Sequence, residues 1–190
     1  YPNYSPEELF HAGVSGYSAT GTDAIVDSTL YASFDSNDLR SIIFFYNSNG
    51  TVEFNSQYDK HYNLTYSLST AELYLNKAEC EVRTGNSQSA LNDINTLLSS
   101  RWITGTYKNY SGLNADQTLD LVLKERRKEL VMTTLRWSDL RRLNKDTKYA
   151  ITLKRVLNGL TYTLPANDPR YTLPIPESEL LLNPIPQNNR

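Results

Sequence analysis

The chain has 190 residues, of which 39% are hydrophobic and 21% charged, with a net charge of −2 at pH 7. That length allows one domain with a sizeable core, and the near-neutral charge gives no long-range attraction to nucleic acid or to an anionic membrane. A single cysteine, Cys80, excludes an internal disulfide and a thiolate zinc cluster, and the longest apolar runs, as at Ile42–Tyr46, are too short to span a bilayer.

Residues 1–33 read as a polar, aromatic loop region. Within it Ser5–Ala12 predicts a short helix, with Ser5 as N-cap, Pro6 at the first helical position and Glu8 at the third. Residues 34–68 hold a loop and a hairpin. In FDSNDLR (Phe34–Arg40), Phe34 is expected to anchor the loop while Asp38 and Arg40 form a buried ion pair. Ser41–Tyr46 is β-branched and aromatic, Asn47-Ser48-Asn49-Gly50 is a turn, and Thr51–Phe54 answers it as the returning strand.

Residues 69–100 predict a helix–turn–helix. Ser69 or Thr70 caps the first helix, Leu73, Tyr74, Ala78 and Val82 lie close to one face, and Cys80 reads as a small core residue. Gly85 ends that helix, and the second carries Ala90, Leu91, Ile94, Leu97 and Leu98 at helical spacing. The pair is similar to a tetratricopeptide (TPR) unit. One such repeat cannot bury its own face, so a third long helix after residue 114 is its expected partner. Between them, 101–113 is a loop bearing Trp102, Tyr107 and Tyr110.

The stretch 114–146 organises the rest. Asn114 and Gln117 approximate a capping box, and Leu119, Val122, Leu123, Arg126 and Leu130 recur on one helical stripe. Arg126 stands where an apolar residue is expected, so its guanidinium must find a partner, with Glu125 and Glu129 at hand. A following helix brings Arg136, Trp137, Asp139 and Leu140. The expected arrangement is two helices pinned by Arg–carboxylate pairs beneath an indole, with Glu125, Arg126, Glu129, Arg136, Trp137, Asp139, Asp38 and Arg40 as its members. In 147–190, Ala150–Leu157 and Leu160–Leu164 flank an Asn-Gly hairpin turn. Prolines then keep the tail extended except for a helical turn at Glu177–Leu182. The fold class is mainly α: a TPR-like helix pair plus a third long helix, short β-hairpins and a Pro-rich extended C-terminal tail.

Catalysis is not expected. His11 and His61 are isolated, and no phosphate loop, nucleophile elbow or metal motif is present. Glu125 and Glu129 share one helix with arginines beside them, which suits a structural salt bridge better than a glycosidase's two acids across a cleft. No cofactor and no metal are expected. Fourteen tyrosines exceed the needs of a core. Tyrosine rings on polar loops suit the apolar faces of sugars, while neighbouring Asn, Asp and Arg take the hydroxyls.

ERRKEL followed by RWSDLRR (Glu125–Arg142) resembles the C-terminal signature of the SusD/RagB family of surface glycan-binding lipoproteins. FDSNDLR, AELYLNKAECEVRTGN (Ala71–Asn86) and LPIPESELLLNPIPQN (Leu173–Asn188) match in the family's order, so the resemblance runs from Phe34 to Asn188. One departure stands at Met132-Thr133-Thr134, where the family has a Phe-Glu-Gly-like step. The resemblance implies the C-terminal part of a single-domain, non-catalytic glycan-capture protein at the outer-membrane surface. Its partners would be an oligo- or polysaccharide and a SusC-like TonB-dependent transporter, with membrane attachment only through a lipid anchor not found in this sequence. It also implies a tail that covers the helical core with Leu173 and Ile175 buried. Glycan contact is expected on aromatic loops, first at Tyr4, Phe10 and Tyr17, then at Tyr107 and Tyr110. The alternative is a TPR-like protein–protein scaffold that binds no sugar.

Overall fold

The structure, a computed structural model, describes residues 7–10, 13–14, 25–56, 58, 64–65 and 68–189. It is mainly helical, with short antiparallel strand pairs. The chain divides into two units, residues 1–134 and 135–190.

The first unit begins with two short strands, β1 (Glu8–Phe10) and β2 (Gly13–Val14). β1 stands where part of the helix expected over Ser5–Ala12 would lie; Ser5, Pro6, His11 and Ala12 themselves fall outside the described residues. A helix that short has too few internal bonds to offset its nucleation, whereas β1 finds an antiparallel neighbour in the chain around Leu68. Asp27 caps α1 (Ser28–Tyr31), accepting from the Thr29 and Leu30 N–H groups at 2.8 and 3.0 Å. Helix α2 (Arg40–Ile43) takes the first half of the segment expected to be extended, so the hairpin starts later, with β3 (Phe45–Ser48) and β4 (Thr51–Phe54). Burial of Arg40 explains the shift. The turn that carries its side chain inward is held by the Ile43 and Phe44 N–H groups on the Leu39 and Arg40 carbonyls, at 3.0 and 2.8 Å. Asn49 and Gly50 make the hairpin turn, both at positive φ (52° and 87°). Phe44, Phe45 and Phe54 pack edge to face with Leu30 and Val131 as one apolar cluster. Two further strands, β5 (Leu64–Thr65) and β6 (Leu68–Ser69), pair with β2 and β1.

Helices α3 (Thr70–Arg83) and α4 (Ser87–Ser99) form an antiparallel-type pair packed on α5 (Ala115–Glu129). Ser69 caps α3, and the turn between the two helices has Gly85 at φ +91°, a conformation glycine takes without a Cβ penalty. From α4, Ala90, Leu91, Ile94, Leu97 and Leu98 are buried. On α3 the buried face is Ala71, Leu75, Ala78, Glu79 and Val82. Leu73, Tyr74 and Cys80 lie outside it and are exposed, which corrects the face read from the sequence. The face that packs against α4 and α5 is the one carrying Ala71, Leu75, Ala78 and Val82 at helical spacing, which leaves Leu73 and Tyr74 outward. Asn114 and Gln117 close both bonds of the capping box on α5. After α5, Met132 and Thr134 both sit at positive φ (61° and 65°), an unusual conformation for a non-glycine residue and most of all for β-branched threonine.

The second unit opens with α6 (Leu135–Leu143) and continues into a hairpin of β7 (Leu153–Leu157) and β8 (Leu160–Leu164) around Asn158-Gly159. A short 3-10 turn at Pro169–Tyr171 precedes the extended tail and α7 (Glu177–Leu182). Tyr171 is buried, Ile175 is half-buried, and Leu173 is 67% exposed rather than buried. Its carbonyl is occupied by the Asn188 side chain, so the backbone of this strip is satisfied without covering the leucine.

Candidate functional site

The first unit's most concentrated chemistry is a closed cluster of charge around Arg40, whose side chain is 0% exposed. Asp38, two residues earlier, receives Nε at 2.9 Å and Nη2 at 2.7 Å from Arg40. Helix α5 then supplies two more carboxylates from one face: Glu125 accepts from Nη2 at 2.6 Å and Glu129 from Nη1 at 2.9 Å. Lys128, on the same face, lies 2.9 Å from Glu125 and 3.3 Å from Asp38. Phe34 lies beneath the cations, with its ring 5.6 Å from the Arg40 guanidinium and 4.9 Å from the Lys128 ammonium.

Arg101 extends the cluster. It donates to Glu129 at 3.0 Å and grips Glu7 through two nitrogens at 2.9 and 2.6 Å. Its guanidinium lies 4.7 Å from the centroid of the Tyr58 ring, whose hydroxyl donates to Glu129 at 2.9 Å. Around Arg40 three buried carboxylates thus face three cations, Arg40, Lys128 and Arg101. Burial alone would raise the Asp38 carboxyl, but the hydrogen bonds and charge of Arg40, with Lys128 beside it, hold it below the usual carboxylate range. Burial would likewise lower Arg40; its bonds to Asp38 and the charges of Glu125 and Glu129 instead raise it well above its ordinary value. Tyr58 is pushed well up by burial and by the Glu129 charge, so its hydroxyl remains a donor. Glu125 and Glu129 each hold cations and are shut from solvent, an arrangement that fixes three chain segments and leaves neither carboxylate open to a substrate.

An aromatic loop adjoins this cluster. Leu39 N–H bonds the Arg101 carbonyl at 2.9 Å and Ile103 N–H the Asn37 carbonyl at 3.0 Å, which joins the loop after α4 to the Asp38 segment. Trp102 and Tyr107 meet edge to face at 5.5 Å between centroids, and Tyr107 and Tyr110 at 6.5 Å. Asn95 on α4 fixes the loop from below. Its Oδ1 accepts from the Tyr107 hydroxyl at 2.7 Å and the Tyr110 N–H at 2.8 Å, while its Nδ2 donates to the Tyr110 carbonyl at 2.9 Å. Burial is the main cause that raises both phenols; at Tyr107 the neighbouring Tyr110 and then Glu125 add to it, and at Tyr110 the negative charge of Glu125 does. All three rings are half-buried, and Lys108 and Asn109 between the tyrosines are exposed.

The other residues singled out in the sequence fall elsewhere. Arg126 is buried and donates to Asn76 at 2.7 Å. In the second unit, Asp139 accepts from Arg142 at 2.9 Å, and Trp137 lies 4.8 Å from Tyr171 between centroids and donates to the Tyr171 carbonyl at 3.1 Å. Arg136 is half-buried on α6. Phe10 is 64% exposed on β1, while Tyr4, Tyr17, His11 and His61 lie outside the described residues. Sequence reasoning missed Lys128, Arg101, Tyr58, Glu7 and Asn95. Lys128 had a signal, since it stands three residues after Glu125 on a helix; the others lie at no spacing that marks them.

A mainly helical chain with one helix pair on a third helix, a buried Asp-x-Arg pair closed by two glutamates and small hairpins defines the class. The chain belongs to the SusD family, whose family model matches residues 15–189. It is similar to a solved SusD superfamily protein of Bacteroides thetaiotaomicron, with 25% identity and a TM-score of 0.69, over 98% of this chain and 49% of that one. A SusD-like carbohydrate binding protein of Bacteroides vulgatus shares the fold at 20% identity and a TM-score of 0.57, over 84% of this chain and 40% of that one. A second protein of that species, provisionally described as sugar binding, matches at 26% identity and a TM-score of 0.61, over 85% of this chain and 37% of that one. The chain therefore spans less than half the length of these solved relatives. No curated protein matches it.

Proposed function

We propose that this chain is part of a non-catalytic glycan-capture protein that works at the outer-membrane surface and passes oligosaccharide to a SusC-like TonB-dependent transporter. The observation that carries the reading is membership of the SusD family over residues 15–189, to which the carbohydrate-binding description of a solved relative adds weight. Within this chain the loop at 102–110 is the proposed contact surface. Asn95 holds the Tyr107 hydroxyl and the Tyr110 backbone, and the Tyr110 ring rests edge to face on Tyr107, so the loop is ordered before a ligand arrives and less entropy is lost on binding. Exposed Lys108 and Asn109 stand ready for sugar hydroxyls. Exposed Phe10 is a further proposed contact, and Tyr4 and Tyr17 remain candidates from the sequence.

Isothermal titration of the 190-residue chain against a panel of neutral polysaccharides tests the proposal. Heat with at least one of them, lost in Tyr107→Ala and Tyr110→Ala chains that keep their helical circular dichroism, is the expected result. No heat with any member, or heat unchanged in both variants, overturns the assignment of the site to this loop.

A further inference from the structure

The second unit carries two exposed apolar surfaces of opposite charge. The segment from Leu173 to Asn188 closes on itself through side-chain amides. Gln187 accepts from the Ile175 N–H at 2.8 Å and donates to the Ile175 carbonyl at 2.9 Å, as a neighbouring strand would, and Asn188 donates to the Leu173 carbonyl at 2.8 Å. Pro174, Pro176, Pro184 and Pro186 stiffen the arc so formed. At its tip α7 holds Leu181 and Leu182 almost wholly in solvent, 85% and 83% exposed. Its only charged residues are Glu177 and Glu179. Such closed, self-packed loops are frequently functional.

The β7–β8 hairpin has the opposite character. Its register places Arg155 opposite Tyr162 and Leu157 opposite Leu160, and alternation puts these four on one face. All four are exposed. Lys154 and Arg155 are the only charged residues between 150 and 164. A two-stranded hairpin is marginal by itself in water and gains from cover on its apolar face.

We propose that the Leu181/Leu182 arc docks on the Arg155/Leu157/Leu160/Tyr162 face of the β7–β8 hairpin of a second copy of this chain, with Glu177 and Glu179 meeting Arg155, while Lys154 on the opposite face of the ribbon adds to its positive charge. The arc is already rigid, so docking orders little chain. The apolar sets are small, which places the contact at the weak, concentration-dependent end of interface sizes. A lipid surface is a poorer occupant, because membrane-lying helices set Lys and Arg beside their apolar face, and α7 sets two carboxylates there.

Sedimentation velocity of the 190-residue chain over a concentration series tests this. The weight-average mass is expected to rise from the monomer's 21.7 kDa with concentration, and less so in high salt. Leu181→Ser with Leu182→Ser removes the rise, as does Glu177→Lys with Glu179→Lys, or Lys154→Glu with Arg155→Glu. Mixing the two charge-reversed chains in equal amounts restores it. All six positions are exposed, and far-UV circular dichroism confirms that each variant folds. A parent chain that stays at the monomer mass overturns the proposal. So do leucine variants that still associate, and a monomeric chain whose leucines insert into phosphatidylcholine vesicles.

Discussion

Replacing Arg40 by methionine isolates the electrostatic part of the buried cluster. Methionine is long, flexible and apolar, so it fills much of the vacated space and limits the cavity contribution. What remains is charge. Asp38, Glu125 and Glu129 lose four hydrogen bonds from the guanidinium, and three buried carboxylates then face only Lys128 and Arg101. Charge-assisted bonds contribute roughly 1.5–3 kcal/mol each when taken singly. They are not additive, and removal of one partner from a buried ion pair costs about 3–5 kcal/mol. We expect Arg40→Met to lose about 4 kcal/mol at neutral pH, a large share of the roughly 5–15 kcal/mol typical of a folded domain. The pH dependence has a definite sign. In the parent, the Asp38 carboxyl is held below its unfolded value, so its contribution is fully present above the unfolded carboxylate range and disappears as pH falls through the folded value. In the variant the surplus negative charge favours protonation, so its deficit shrinks as pH is lowered from about 7 to about 5, where the parent still changes little. Urea unfolding followed by tryptophan fluorescence at a series of pH values measures both. A loss below about 1 kcal/mol, or a deficit that widens toward acid, would refute the reasoning.

Asn95→Ala removes three hydrogen bonds to the aromatic loop and should cost about 2 kcal/mol; acrylamide should quench Trp102 more readily in the variant. Thr134→Gly should stabilise the chain by about 1 kcal/mol, because the residue sits at φ 65° where a Cβ is unfavourable, and differential scanning calorimetry would show a raised melting temperature. Trp137→Ala removes both the ring contact with Tyr171 and a hydrogen bond to its carbonyl. A loss of about 3 kcal/mol is expected in urea unfolding.

The helices were legible because their ends and stripes carry independent signals. Asn114 with Gln117, Ser69 before Thr70 and Gly85 after Arg83 each mark a boundary through a cap or a positive φ. The Asn158-Gly159 hairpin followed from turn chemistry in the same way. Faces were harder. On α3 the choice between a face with Leu73 and Tyr74 and one with Ala71, Leu75 and Ala78 depends on where α4 and α5 lie against it, which no single helix encodes. The segment at Glu8 went wrong because its partner strand lies some sixty residues away. For the site, a spacing of two places Asp38 within reach of Arg40, and helical spacing groups Glu125 with Glu129. Nothing local shows that both sets close on one guanidinium, nor that Arg126, on the neighbouring face of α5, turns away to Asn76. Tyr58, Arg101 and Asn95 act through tertiary position alone.

Arg40 also bears on how the first unit reaches its native state. Its carboxylate partners lie two, 85 and 89 residues away along the chain. A partly assembled intermediate that has buried one side of this meeting point holds ions without their counterparts, which is unfavourable in a low-dielectric interior. Half-built forms are thereby raised in energy relative to both the unfolded chain and the finished fold. Widely separated segments must converge before the balance turns favourable, which makes for slow, cooperative assembly in a small helical protein.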